Sequence, residues 1–430
     1  MKAGDLRGIV RGRDFRRLYA TRLTSQFTDG LFQVALAGYV FFSPEKEPSA
    51  GRAAAAFAVT LLPYSALGPF AGVFIDRWPR RRILVWTPAL RALLVLAVAG
   101  LVAAGHDGAL FFLGVLLVLG VNRFFLSALS AALPHVVPRP DLVTANAFTV
   151  TSGTVAAFLG AGAGYGLRRL AGGGAAGTAV LLAAAAALFL AAGLTATRLP
   201  AGLLGPHLDR ERPEARRAVG TVLHGLADGA RYIRRRRPAL LALAAISFHR
   251  FLYGIVLIMT LLLCRGLFTG GDAEDGLAAF GLMLGVSGAG YFAAALATPA
   301  VVRRISKQAW IALLLAAGAA ALALFGLPFA EGPWAAGAFA LGVVSQGVKL
   351  CVDTILQESI DDAYRGRVFA VYDMLFNAAF AAAAAAAATW LPADGRSYAT
   401  LAAVIAAYLL GAAAYRAAAA RAPEPVAADR

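Results

Sequence analysis

Gly72-Val73-Phe74-Ile75-Asp76-Arg77-Trp78-Pro79-Arg80-Arg81-Arg82 joins two long apolar runs. One acid and four arginines in seven residues cannot sit in hydrocarbon, so the stretch reads as a tight polar connection. The runs on either side, 53–75 and 83–104, each exceed the roughly 20 apolar residues that a helix needs to cross a bilayer. Working outward, the same pattern repeats. The first six spans fall at 18–42, 53–75, 83–104, 109–132, 143–167 and 177–196. The second six fall at 239–263, 277–300, 309–328, 334–356, 367–390 and 398–416. Runs 143–167 and 277–300 are the least apolar because they are rich in Gly, a residue that close-packed membrane helices use. The first run is interrupted by Arg22 and Asp29 and lacks a small-residue cleavage site, so it is expected to stay as a span.

Composition agrees. Of 430 residues, 60% are hydrophobic and 15% charged, and the mean hydropathy is +0.69. Soluble proteins run at about 45–50% apolar and about 25% charged. A soluble or disordered chain is excluded. With both termini inside, 29 of the 40 Lys and Arg fall in inside segments, counting Arg367 and Arg416 at the inner span ends, and six in outside loops. That bias accounts for the net +16 and puts both termini on the cytoplasmic side. All five Trp fall near span ends, where amphipathic rings favour the interface. Cys264 and Cys351 lie in or beside apolar runs and read as small core residues.

The longest polar segment, 197–238, holds ten Arg against four acids. It divides the chain into a bundle over 1–196, a basic cytoplasmic linker over 197–238, a bundle over 239–416 and a tail over 417–430. Arg234 to Arg237 read as a headgroup anchor. Nucleic-acid binding is not expected, because aromatic interleaving is absent. The halves also look repeated. Gly68-Pro69-Phe70-Ala71 and Arg81-Arg82 map onto Gly290-Tyr291-Phe292-Ala293 and Arg303-Arg304 at a displacement of 222, and the loop Leu133–Ala147 maps onto Leu356–Ala370 at 223. Same-side copies imply parallel six-helix units, an arrangement suited to alternating access around a midplane site. The expected fold is therefore an all-α membrane protein of twelve transmembrane helices in two pseudo-symmetric six-helix bundles.

The opening stretch resembles the cytoplasmic loop signature of the major facilitator superfamily, G-x-x-x-D-R-x-G-R-[RK]. Gly72, Asp76, Arg77, Arg80 and Arg81 match, and Pro79 replaces the second Gly. The resemblance implies a latch on the inside face. Gly72 would let helices approach, Asp76 would accept bonds from the start of span 11, and Arg77 and Arg80 would pair with acids on neighbouring helices, Asp373 among the candidates. The opposing view is that the arginines only set topology. Thr298 stands where a second-half Asp76 would fall. Phe15-Arg16-Arg17-Leu18, Ser25 to Gly30, Leu133-Pro134, Leu142 to Ala147 and Arg365 to Phe369 are similar to the macrolide-efflux and enterobactin-exporter branch. That branch implies proton-driven export of a bulky, partly apolar compound.

Charges inside the spans need a reason, since each costs roughly 2.5–3.5 kcal/mol at mid-helix. Asp29 lies eleven residues into span 1, about 16 Å deep at 1.5 Å per residue. It reads either as a proton-coupling carboxylate or as the structural partner of a buried Arg. Arg123 in span 4 is expected to face the cavity and to pair with Asp29 or an anionic substrate group. Arg22 shares a face with Asp29 but sits shallower and could snorkel. Arg91 is either a cavity residue or a structural tie. Lys349 and Asp353, four apart, share a face of span 10 as a structural or coupling pair. Asp373 and Asn377 share a face of span 11. His249 reads as a packing residue. Phe27, Phe124, Phe125, Phe248 and Phe251 are expected as cavity aromatics.

Together these readings point to a secondary transporter in a bacterial plasma membrane that exports a small molecule by proton antiport. Proton-linked or facilitative uptake is the alternative. No G-x-x-x-x-G-K-[ST] loop is present, so energy would come from a proton gradient and no cofactor is expected. A membrane-embedded enzyme is disfavoured, because the intramembrane acids are single and no H-E-x-x-H or D-D-x-x-D cluster occurs. A sensor is disfavoured by the lack of a soluble domain. The expected partners are a small-molecule substrate and the lipid bilayer, with no nucleic acid, and the chain is expected to act as a monomer.

Overall fold

The computed structural model describes residues 10–42, 78–138, 141–172, 174–205 and 215–421, and every statement below concerns those residues. Span 53–75 and the residues Gly72, Asp76 and Arg77 lie outside them. Twelve α-helices are described: α1 Arg13–Val40, α2 Arg80–Ala103, α3 Ala109–Ala132, α4 Leu142–Leu170, α5 Gly174–Thr197, α6 Ala215–Arg235, α7 Arg237–Arg265, α8 Ala273–Val301, α9 Lys307–Ala321, α10 Glu331–Ser359, α11 Asp362–Trp390 and α12 Tyr398–Ala420. Helices α1 to α5 are spans 1, 3, 4, 5 and 6, and α7 to α12 are spans 7 to 12. Helix α6 lies in the linker. Nine helices, α2, α3, α5 and α7 to α12, are long and apolar enough to cross a membrane. Helices α1 and α4 are not in that set: α1 carries Arg22, Gln26 and Asp29, and α4 is interrupted by Gly, Ser and Thr.

Local chemistry sets several boundaries. Asp272, Ser306 and Ser397 cap α8, α9 and α12, each accepting from the backbone N–H three residues on. Such caps satisfy donors that the first helical turn leaves open. Span 9 ends by widening into a π turn, Leu322–Gly326.

The chain divides into two compact units, with the boundary along the linker between Val222 and Leu223. In the first, α1 packs on α4 and α5, and α2 packs on α3 and α5. In the second, α7 packs on α11 and α12, and α9 packs on α10 and α12. In span numbers these pairings are 1·5, 1·6, 3·4 and 3·6 against 7·11, 7·12, 9·10 and 9·12. Each of these four first-unit pairings recurs six spans later, as the repeated sequence implies.

The glycines of the two least apolar runs line the tightest seams. Gly30 faces the Ala157 carbonyl and Gly160 faces the Phe27 carbonyl, bringing α1 and α4 into backbone contact. Gly290 and Gly342 do the same for α8 and α10, against the carbonyls of Phe339 and Ser287. Small residues allow such approaches, and dispersion between the closely packed backbones replaces the side-chain burial they forgo.

Three expectations are corrected here. Trp334 is 3% exposed and donates to Thr260 Oγ1 at 2.9 Å, so it is a core residue and not part of an interfacial belt. Trp78, Trp86 and Trp390 are exposed, as an interfacial position requires. The linker contains helix α6, for which the sequence reading assigned only an anchor. Its C-terminal part docks on the start of α11: Tyr232 stacks on Tyr364 at 4.3 Å, and the Tyr232 hydroxyl donates to Asp361 at 2.8 Å. Phe125, expected to line a cavity, is fully buried in the core of the first unit with Phe15, Leu84 and Leu129. Both cysteines are buried free thiols.

Candidate functional site

The first unit brings Asp29 and Arg91 into one buried cluster. Asp29 of α1 is 5% exposed and Arg91 of α2 is fully buried. Arg91 Nη2 donates to Asp29 Oδ1 in a closed ion pair. Arg91 Nη1 also donates to Asn122 Oδ1 of α3 at 3.0 Å and to Ser25 Oγ at 3.3 Å. The guanidinium carbon lies 3.8 Å from the centre of the Phe189 ring of α5. Ser25 and Asp29 are four residues apart and share one face of α1, so one guanidinium reaches both. Asp29 Oδ2 and Arg91 Nε have no hydrogen-bond partner among the described residues. One carboxylate oxygen is thus committed to the ion pair, and the other is not paired within the described residues.

This geometry corrects the expected pairing. The cation beside Asp29 is Arg91, not Arg123. The hydrophobic period of α3 explains why: Val115, Val118, Leu119, Asn122, Phe125 and Leu129 are buried, whereas Arg123 and Phe124 are only partly buried. A helix turns 100° per residue, so Asn122 and Arg123 cannot both face the Arg91 side. Phe124 packs edge-on to Trp78 at 5.9 Å. Phe27 is partly buried. Arg22 is also partly buried, and a methyl group at Gly153 of α4 would lie 3.2 Å from its Nε. Sequence reasoning missed Ser25 and Phe189 as partners. It also missed Arg168, which is fully buried, donates to Thr178 at 2.8 Å and the Phe42 carbonyl at 3.5 Å, and joins three helix ends.

Of the expected latch residues, Arg80, Arg81 and Asp373 lie among the described residues. Arg81 donates to the carbonyls of Leu199 at 2.6 Å and Thr197 at 2.7 Å. Arg80 donates to the Leu204 carbonyl at 3.0 Å. Arg81 therefore holds the C-terminal end of α5, where the helix dipole attracts cations, and Arg80 holds the turn that follows it. Asp373 is exposed on α11, and its backbone carbonyl accepts from Asn377 at 2.8 Å. Thr298, at the place of a second Asp76, is buried and accepts from Trp310 at 3.4 Å.

In the second unit, Lys349 and Asp353 form an ion pair at 2.6 Å along α10. His249 is fully buried, with Nδ1 3.1 Å from the Tyr408 hydroxyl of α12. Phe248, expected in a cavity, packs against Gly411 of α12. Phe251 is partly buried. Arg250 contacts rings: its guanidinium carbon is 4.3 Å from Phe376, 4.6 Å from Phe380 and 5.6 Å from Tyr253. Each such contact contributes on the order of 0.5–2 kcal/mol. A small cavity, with room for about 30 Å³ of water-sized contents, lies between α7, α8, the π turn and α10; Tyr253, Thr260, Ser287 and Trp334 line it with apolar side chains. No group of three or more metal-binding side chains occurs among the described residues.

Known proteins agree with this architecture. Residues 20–384 match the family model of the Major Facilitator Superfamily. Uncharacterized MFS-type transporters of Mycobacterium tuberculosis and Mycobacterium bovis are each 38% identical over 384 residues, covering 89% of this chain and 86% of theirs. Among solved structures, a mutant of the peptide transporter POT with sulfate aligns with a TM-score of 0.70 at 14% identity, over 94% of each chain. A mutant of the nucleoside transporter NupG aligns at 0.69 with 13% identity, covering 94% of this chain and 98% of its own. At such identities the structural likeness shows the fold, and the family follows from the sequence matches. The chain therefore belongs to the major facilitator superfamily, as a multi-pass membrane transporter of that type and not an enzyme.

Proposed function

We propose that the protein exports a small, partly apolar molecule by proton antiport with alternating access, in a bacterial plasma membrane with both termini cytoplasmic. The observation that carries this reading is the buried Asp29–Arg91 pair, whose second carboxylate oxygen has no hydrogen-bond partner among the described residues. A proton on Asp29 and the charge of Arg91 compete for one carboxylate. Protonation cancels the ion pair and leaves Arg91 held by Asn122, Ser25 and the Phe189 ring. Deprotonation restores it. A carboxylate that exchanges a proton for an internal cation is suited to proton coupling. The efflux-like stretches Ser25 to Gly30 and Leu142 to Ala147 favour the outward direction.

The complete burial of Arg91 favours a second reading, a static tie that joins α1, α2, α3 and α5. Proteoliposomes separate the two. A pH-sensitive dye is trapped inside, and ethidium, Hoechst 33342 and 1-naphthoate are supplied in turn. In the Asp29→Asn variant, compound-driven proton movement is lost while downhill exchange of the compound persists. Proton movement equal to that of the unaltered protein in Asp29→Asn refutes the coupling role.

A further inference from the structure

Two of the cations that lie within helices are neutralised by an acid. Arg91 has Asp29 and Lys349 has Asp353. Arg250 is one residue from the centre of the 29-residue α7. Among the described residues it has aromatic faces but no carboxylate and no hydrogen-bond acceptor, and its Nε is buried without a partner. A ring face stabilises a cation but accepts hydrogen bonds poorly, so the donors of the guanidinium fork stay unused. Arg250 is only partly buried, which leaves one side open. The rings beside it belong to a ladder on one face of α11. Tyr372 meets Phe369 and Phe376 edge-on, each at 6.0 Å, and Phe380 follows one turn later. The repeat sharpens the contrast. At a displacement of 222, Arg250 falls on Thr28, beside Asp29. Among the described residues, the same level therefore carries a neutral pair in one half and a cation without an acid in the other.

We propose that Arg250, lying over Phe376 and Phe380, receives the anionic group of a transported organic acid. The ligand class is a planar or tetrahedral oxyanion, a carboxylate or a phosphate, attached to an aromatic or apolar body. The fork binds the oxyanion through paired N–H donors, and the α11 ladder stacks on the body. This inference rests on the transporter reading and names its substrate class. A lipid headgroup shares the oxyanion chemistry. Arg250 lies about 20 Å along α7 from either end at 1.5 Å per residue, which favours a solute over a headgroup.

The test is binding, without transport, to the purified full-length protein in nanodiscs. The probes are 1-naphthoate and 1-naphthyl phosphate, with neutral 1-naphthamide and cationic 1-naphthylmethylamine as controls. The expected result is anion binding that weakens at least tenfold in Arg250→Gln and less in Arg250→Lys, with naphthamide binding unchanged. Phe376→Leu weakens all the aromatic probes. If Arg250→Gln fails to fold, competition on the unaltered protein decides: benzoate displaces 1-naphthoate, and benzylamine does not. Anion binding that is absent at millimolar concentration, equal in Arg250→Gln, or displaced by benzylamine overturns the proposal. Comparing phosphatidylcholine nanodiscs with and without phosphatidylglycerol identifies the source of the oxyanion. Equal binding supports a solute, and loss in phosphatidylglycerol overturns the substrate assignment. Because no proton flux is measured, failure here leaves the Asp29 coupling test standing.

Discussion

Removing either member of the Asp29–Arg91 pair should damage the fold far more than removing both. The pair is closed and nearly free of solvent. Deleting one partner of such a pair leaves an uncompensated charge at a cost of about 3–5 kcal/mol, whereas replacing both with apolar groups of similar volume is often neutral. Asp29→Leu leaves Arg91 with Asn122 at 3.0 Å, Ser25 at 3.3 Å and the Phe189 ring at 3.8 Å. Its loss should fall near the lower figure. Arg91→Met leaves Asp29 without its cation, but the carboxyl can take up a proton and neutralise itself, so this loss should also stay near the lower figure. The double variant should lie within about 1–2 kcal/mol of the unaltered protein. The sum of the single losses should then exceed the double loss by at least about 3 kcal/mol, or roughly a hundredfold in the folded-to-unfolded ratio. Denaturant titration in bicelles, followed by tryptophan fluorescence, measures all four states. Losses that add to within about 0.5 kcal/mol would refute the argument, because independent sites behave that way. The double variant should also stay folded while failing to couple proton movement.

The seam between α1 and α4 gives a sharp contrast within one helix. Gly160→Ala drives a methyl group into the Phe27 carbonyl and should cost about 1–3 kcal/mol with a clear fall in monodisperse yield, whereas Gly162→Ala, which meets nothing within 4 Å, should be silent in the same size-exclusion and melting assays. Arg81→Ala removes two bonds to the end of α5 and should lower stability by about 1–2 kcal/mol, with the exposed Arg82→Ala as an unaffected control by thermal melting.

The span pattern was legible because hydropathy over 20 or more residues depends little on neighbours. The predicted run 109–132 and helix α3 have the same bounds. Even 143–167 was readable, since its glycines weaken the apolar signal for the same reason that they let α4 touch α1. Asp29 stood out as an acid at depth. Its partner did not, because choosing Arg91 over Arg123 requires the rotation of two helices about their axes, which depth alone does not give. That rotation was partly available in the period of buried residues on α3, which groups Asn122 with Phe125 and sets Arg123 aside. The same period argued against three adjacent residues, Arg123, Phe124 and Phe125, all facing one cavity. Helix α6 was passed over because the linker is so basic. Its apolar residues Val222, Leu226 and Ile233 nevertheless recur at helical spacing.

The backbone seams carry a mechanical consequence. Where carbonyls rest on glycines, no rotamer change can absorb strain, so the joined helices behave as one strut. In the first half that strut is α1 with α4, and Gly30, one of its contact points, immediately follows Asp29. In the second half it is α8 with α10. Six spans after the first strut stands α7 with α11, where Gly254 meets the methyl group of Ala383 and not a carbonyl. Among the described residues, the α1–α4 seam is therefore stiffer than its counterpart α7–α11, so a force applied at that level should bend the two copies differently.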